Sequence, residues 1–390
     1  MKRIVAVMAL CAVVSHTLGR STYPILLPAI AAELLSSHQQ SGLLTTVNFG
    51  GYLLGVLVMT AVSGRFEPAR LLVGGLGLST AGFVLLATAG GFGALAAGLL
   101  LTGLGSAGIW MTAPVIATGV VPAGRRGTVM GLLSSTMGLG LIAVSQGTNL
   151  VRSIGDDDRL WRPTWWAAVV YGGLLLAATG IGLRLPATAR IAGGVSLGRL
   201  RTVPDWVPVT VAYWLFGFVV SSFTPFFGAA LEEVGFTRTH VGNLYALFGL
   251  SAVVGAVSLG RVSDRIGRQP VLVGALLAMA VASLLVLTGS EPYAAMAAMS
   301  FGAASFTFPV LVAAYLSDHL QERAFANAFG ALTLFYGSAL ILGPVVSGTI
   351  GDSALGFPVV FALVAAAAVT GAVVLLRVGR RTERPELVAP

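Results

Sequence analysis

Residues Gly260 to Gln269 read GRVSDRIGRQ: three arginines (Arg261, Arg265, Arg268) and one acid, Asp264, between two long apolar runs. Each of these charges would cost about 3 kcal/mol or more in hydrocarbon, so the stretch is predicted at an aqueous surface, as a tight loop joining two membrane helices. Gly260 and Gly267 suit a close turn, and Asp264 suits pairing or capping at a helix start, where the dipole favours an anion. The basic sign predicts the cytoplasmic side, and a charged latch between helix ends is a means of holding a gate.

The composition on either side agrees. Of 390 residues, 56% are hydrophobic and 10% charged, with mean hydropathy +0.89, too little polar surface to cover a soluble globule. The net charge of +8 is spread through short segments and builds no continuous basic face, so a lipid bilayer is the expected partner and nucleic acid is not. The single cysteine, Cys11, excludes an intrachain disulfide and a cysteine-only metal cage, and reads as a small packed hydrophobe.

Apolar windows of ~20 residues place twelve spans at about 5–33, 41–62, 70–88, 92–116, 127–150, 165–185, 207–231, 241–259, 270–288, 293–316, 325–350 and 355–376. Lys2, Arg3 and the apolar run after them imitate a secretory signal peptide, but apolar character resumes beyond Arg20, so the segment is expected to stay as the first span. Eighteen lysines and arginines fall at the N-terminus, in the even-numbered connections and in the tail. Four (Arg152, Arg159, Arg162, Arg238) fall on the other side. Both termini are therefore expected in the cytoplasm, with the protein in the inner membrane.

The halves repeat: Gly64-Arg65 and Gly260-Arg261 lie about half the chain apart, as do Pro114 and Pro309. The predicted architecture is an all-α membrane protein of twelve transmembrane helices in two pseudo-symmetric six-helix bundles. These are residues 1–185 and 206–377, joined by a cytoplasmic linker at 186–205 and followed by a cytoplasmic tail at 378–390. The first copy of the arginine stretch is degraded to GRFEPAR at Gly64 to Arg70, so a symmetric latch is not expected. Asp156, Asp157 and Asp158 are expected to form a solvated loop rather than a cation site.

Gly260, Asp264, Arg265, Gly267 and Arg268 match the G-x-x-x-D-R-x-G-R signature, and on these residues the chain resembles the major facilitator superfamily of transporters. That resemblance implies alternating access between two bundles and a conformational gate at this loop. The opening stretch is similar to the YbfB/YjiJ branch, through Gly19, Arg20, Tyr23, Leu27, Pro28, Asn48, Phe49, Gly51, Tyr52, Leu53 and Gly55. Two features common in the proton-driven drug exporters are absent. The fifth span reads Gly138-Leu139-Gly140 without a proline, and Leu99 stands where an arginine would precede the glycines of the fourth.

Arg20 carries the site reading. A guanidinium in mid-span needs an anion, a carbonyl cluster or a watery cavity, and the nearest acids (Glu33, Glu232, Glu233) lie at span ends. The expected partner is the substrate, gripped by the guanidinium fork. The alternative is that Arg20 snorkels to the interface. Helical spacing puts His16, Arg20 and Tyr23 on one face, with Pro24 and Pro28 predicted to bend the helix. Asn48, Tyr52, Trp110, Tyr213, Asn243, Tyr245 and Tyr336 complete the predicted substrate-binding set, a polar cavity flanked by aromatics. No catalytic constellation, metal-ligand cluster, cofactor motif or Walker loop is found, so an enzyme is not expected. The expected function is secondary transport of a small carboxylate-like anion by a monomer, with a proton carried on His16 or by the substrate as coupling ion. The alternatives are an exporter of hydrophobic drugs or metabolites and a non-transporting membrane sensor.

Overall fold

A chain in hydrocarbon must satisfy its backbone N–H and C=O groups internally, and this one does so with helices. The computed structural model describes residues 2–155, 157, 160–182 and 195–378. Twelve helices among them are long and apolar enough to cross a membrane. They are α1 (Lys2–Leu34), α2 (His38–Val62), α3 (Pro68–Ala87), α4 (Phe92–Gly119), α5 (Arg126–Gly155) and α6 (Arg162–Ile181), then α7 (Trp206–Glu233), α8 (Arg238–Ile266), α9 (Arg268–Val286), α10 (Glu291–Ser317), α11 (Glu322–Gly351) and α12 (Gly356–Leu375). The chain is a multi-pass membrane protein.

The helices sort into two bundles, each with its own core. Met8, Leu26, Leu76, Phe83, Leu99 and Trp165 belong to one; Phe216, Phe223, Phe227, Phe301, Phe308 and Phe361 belong to the other. Across the boundary α2 packs on α11 and α5 on α8. Close approach there depends on Gly138 and Gly249: a Cβ on either would lie 2.6 or 2.7 Å from the carbonyl oxygen of the other. Of the predicted linker, 186–194 lies outside the described residues. Its remainder docks on the second bundle, with Leu200 and Val203 in that core and the Ser196 N–H donating to the Asn327 carbonyl at 3.0 Å. The tail beyond Val378 also lies outside, as do Asp156, Asp158 and Arg159.

Two local expectations are corrected. The Gly260 to Gln269 stretch is not a loop. Helix α8 runs to Ile266, and Gly267 alone, at φ 94°, turns the chain into α9. A helix of 29 residues is about 44 Å long against a hydrocarbon core of about 30 Å, so its charged end projects beyond the apolar layer while keeping its hydrogen bonds. Gly260 is accordingly a helical residue with open space around its Cβ position. The second correction concerns the regular helical spacing expected through His16, Arg20 and Tyr23 of α1: Val14–Ser21 is π-helical, between α-helical Lys2–Val13 and Thr22–Leu34. The wide turns are held by bonds five residues apart, including Thr22 Oγ1 to the Thr17 carbonyl (3.0 Å) and Ser21 Oγ to the His16 carbonyl (3.2 Å).

Candidate functional site

The π-helical turns decide which residues of α1 face the centre of the molecule. His16, Arg20, Ser21 and Pro24 line a cavity of about 520 Å³ between the bundles. Tyr23 does not: the widened turns shift the helical phase of the residues after them, and Tyr23 is buried in the first bundle with its hydroxyl 3.4 Å from the Ser41 carbonyl. Reciprocal bonds fix the π segment to α4. Ser15 Oγ donates to the Ser106 carbonyl (2.8 Å) and Ser106 Oγ to the Ser15 carbonyl (2.9 Å).

Asn48 also lies outside the cavity. It is buried, and its Nδ2 donates to the carbonyls of Gly19 and Leu99, 2.9 Å each, with Thr102 Oγ1 at 3.0 Å. It thus ties the residue before Arg20 to α2 and α4, which makes it a positioning residue. Asn243 is likewise part of a bundle-to-bundle contact, accepting from Gln146 (3.1 Å) and Asn149 (3.0 Å). The other seven predicted residues do line the cavity: His16, Arg20, Tyr52 and Trp110 from the first bundle, Tyr213, Tyr245 and Tyr336 from the second.

Within that set the Arg20 guanidinium sits over the Tyr52 ring, 3.9 Å from its centroid, and 5.6 Å from that of Phe49. A desolvated cation–π contact contributes about 2 kcal/mol, which offsets much of the ~3 kcal/mol insertion cost of a central arginine. Among the described residues Arg20 has no carboxylate or hydrogen-bond acceptor, so its N–H fork stays available to the cavity. The His16 ring packs edge-on to Trp110 with centroids 4.2 Å apart, and its Nδ1 is buried without a hydrogen-bond partner. No Lys, Asp or Glu lines the cavity among the described residues. The remaining lining is mostly apolar, with Met130, Met137, Phe325 and Phe329 leading toward the ends of α5 and α11 that carry the even-numbered connections.

The opposite end is closed by bonds between bundles. Asp352, after α11, accepts from the backbone N–H groups of His38 and Gln39 at 2.7 Å each, and His38 Nε2 lies 3.3 Å from a Glu233 oxygen. Asn149 Nδ2 donates to the Thr239 carbonyl at 3.0 Å. None of Asp352, His38 or the lining methionines stood out in the sequence; the ordinary N-terminus of α2 gives no sign that a residue over 300 positions away caps it.

The predicted gate residues gather within the second bundle. Arg268 Nη1 donates to Asp264 Oδ1 (2.6 Å) and Ser263 Oγ (3.2 Å), and its Nε to Asp318 Oδ2 (3.4 Å). These bonds join the ends of α8, α9 and α10, and do not cross to the first bundle. Arg265 is exposed on the end of α8.

A family profile described as "Uncharacterised MFS-type transporter YbfB" matches residues 12–376. The chain is 26% identical over 352 residues to a chloramphenicol resistance protein of Streptomyces lividans, covering 87% of this chain and 88% of that protein. It is 31% identical over 126 residues to a class H tetracycline resistance protein of Pasteurella multocida, about a third (32%) of each. Its fold matches the crystal structure of a point mutant of the nucleoside transporter NupG with a TM-score of 0.76, 12% identity, and coverage of 96% of this chain and 99% of that one.

Proposed function

Because the chain belongs to the YbfB-type transporter family of the major facilitator superfamily, we propose that it carries a small organic anion through the central cavity by alternating access. Arg20 carries this reading: a mid-span guanidinium, seated on Tyr52, open to the cavity and, among the described residues, without a carboxylate partner. Its fork is planar and permanently charged, so it holds a carboxylate through two parallel hydrogen bonds and distinguishes it from a neutral isostere. With the arginine bias setting both termini in the cytoplasm of the inner membrane, the described state is the inward-open one: bonded at the outer end, with the cavity leading inward. His16, beside Arg20, or the substrate itself carries the coupled proton. The protein works as a monomer without metal or cofactor.

A second reading is export of neutral hydrophobic drugs. The similarity to a chloramphenicol resistance protein along most of both chains and the apolar lining favour it. Thermal-shift measurements on purified wild type and Arg20→Gln, with carboxylates, phosphates, sugars and both neutral and cationic amphiphilic drugs, separate the two. Stabilisation by carboxylates of the wild type alone supports the anion reading. Equal stabilisation of both proteins by neutral or cationic amphiphiles overturns it in favour of drug export.

A further inference from the structure

We infer that the transported anion is a planar aromatic monocarboxylate, its carboxylate clamped between the bundles by Arg20 of α1 and the phenols of Tyr213 of α7 and Tyr336 of α11. The inference rests on the anion reading and deepens it.

Charge sets the first limit. Arg20 is the one permanently charged residue among the described cavity lining, so a single carboxylate is matched and a second would enter an apolar wall uncompensated. Hydrogen-bond donors set the next. Tyr213 and Tyr336 stack on one another and line the same cavity as Arg20 and Tyr52, and among the described residues neither phenol oxygen has a hydrogen-bond partner. Both oxygens have accessible surface in the cavity, so this set of one fork and two O–H groups is free for an acceptor that enters from outside.

Ring geometry sets the shape of the rest of the molecule. Tyr213 and Tyr336 stack at 4.7 Å and 15°, Tyr213 and Phe216 lie 6.0 Å apart at 4°, and Phe216 stacks on Phe308 behind it at 4.4 Å and 13°. Those stacks fill one another's faces and stiffen the wall, while Trp110, Phe306, Phe329 and Tyr336 line the cavity partly exposed; an aromatic lining of this kind favours a flat ring in offset stacking over a puckered aliphatic body. The clamp also has the property a transported ligand needs. Arg20 belongs to one bundle and the two tyrosines to the other, so the ligand's interaction energy changes as the bundles rock.

The test measures binding by thermal shift and equilibrium titration with four probes on one carbon skeleton: 2-naphthoate, its neutral amide, the fully saturated decalin-2-carboxylate, and naphthalene-2,6-dicarboxylate. Wild type, Arg20→Gln, Tyr213→Phe and Tyr336→Phe are compared. The expected result is naphthoate binding at least about tenfold tighter than each of the other probes, and weakened about tenfold by either tyrosine variant and further by Arg20→Gln. Equal binding of the saturated acid or of the dicarboxylate overturns the aromatic monocarboxylate assignment while leaving the anion reading intact. Tyrosine variants that bind like wild type overturn the clamp. If the amide binds as well as the acid and Arg20→Gln changes neither, the anion reading itself falls. Absence of binding by all four to folded wild type at millimolar concentration overturns the assigned class.

Discussion

Asp352 caps a helix that belongs to the other bundle: its carboxylate accepts the N–H of His38, the first residue of α2, at 2.7 Å and that of Gln39 at the same distance. Ser37 takes the third N–H, at Gln40, from within the chain segment itself (3.1 Å). The first turn of α2 is thus fully satisfied only while these ends of the two bundles touch, since the orphan donors of a helix start would otherwise turn to water.

Asp352→Ala is therefore expected to shift the protein away from the described state. Two charge-assisted bonds at an exposed position contribute on the order of 1.5–3 kcal/mol, or about tenfold to a hundredfold in population. Glu233→Gln, which removes only the half-exposed pair with His38, is expected to do less, about 1 kcal/mol at most, with an effect that fades in high salt. Spin-label distances between positions 36 and 353 measure both. An unchanged distribution in Asp352→Ala would show that the cap does not hold this end closed.

Tyr52 has two separable contributions. Tyr52→Phe keeps the ring beneath Arg20 and is expected to keep the wild-type melting temperature. Tyr52→Leu removes the cation–π contact and is expected to destabilise the protein by about 1–2 kcal/mol. An Arg20→Gln, Tyr52→Leu double variant should show no further loss, because the cation is already gone. Melting temperatures of the four proteins check this, and additive losses would mean that Tyr52 acts through packing alone.

Asn48→Ala is expected to cost about 2–3 kcal/mol of stability, since it removes the bonds to the Gly19 and Leu99 carbonyls in a buried layer, where Leu99 keeps only the Thr102 hydroxyl as a side-chain donor, and opens a small cavity. Binding should weaken as well, although Asn48 lies outside the cavity lining, because Gly19 precedes Arg20 in the π-helical turn. Thermal unfolding and ligand titration test the two effects separately; a stable variant that nonetheless loses binding would indicate direct contact instead.

The two glycines of the GRVSDRIG stretch should respond oppositely to alanine. Gly267 has φ 94°, where an L side chain is strained, so Gly267→Ala should destabilise by about 1–3 kcal/mol. Gly260 lies within α8 and a Cβ there meets nothing within 4 Å, so Gly260→Ala should be neutral or stabilising by up to about 1 kcal/mol. Melting curves distinguish these directly, and a strongly destabilised Gly260→Ala would restore the loop reading of the stretch.

Much of the architecture was legible because the bilayer simplifies it. Apolar length marks each span, so twelve spans could be counted without any knowledge of contacts. Span ends were less legible: the arginines of α8 look like a loop to a hydropathy window, yet they ride on a helix that outlasts the hydrocarbon. Arg20 could be singled out from charge alone, and its neighbours His16, Tyr52, Trp110, Tyr213, Tyr245 and Tyr336 from their polar or aromatic character. Tyr23 could not be placed, because a π-helical turn leaves no periodic trace in the side chains that cause it. Asn48 and Asn243 looked the same as cavity residues, since an amide serves a ligand and a backbone carbonyl by the same donors.

The sequence by itself determined a membrane protein of twelve spans, a repeat of two halves, and one cation in the middle of the first span. These features arise from transfer energies that depend on residue type and spacing. Only the tertiary structure decided what that cation faces and which end is closed. The π-helical segment of α1 turns Arg20 onto Tyr52 and into the cavity, and Asp352 reaches His38 from the far side of the bundle boundary. Both are relations between residues distant in the chain or out of helical phase, fixed by packing and by backbone groups that every residue shares, and so carry no signature in residue type.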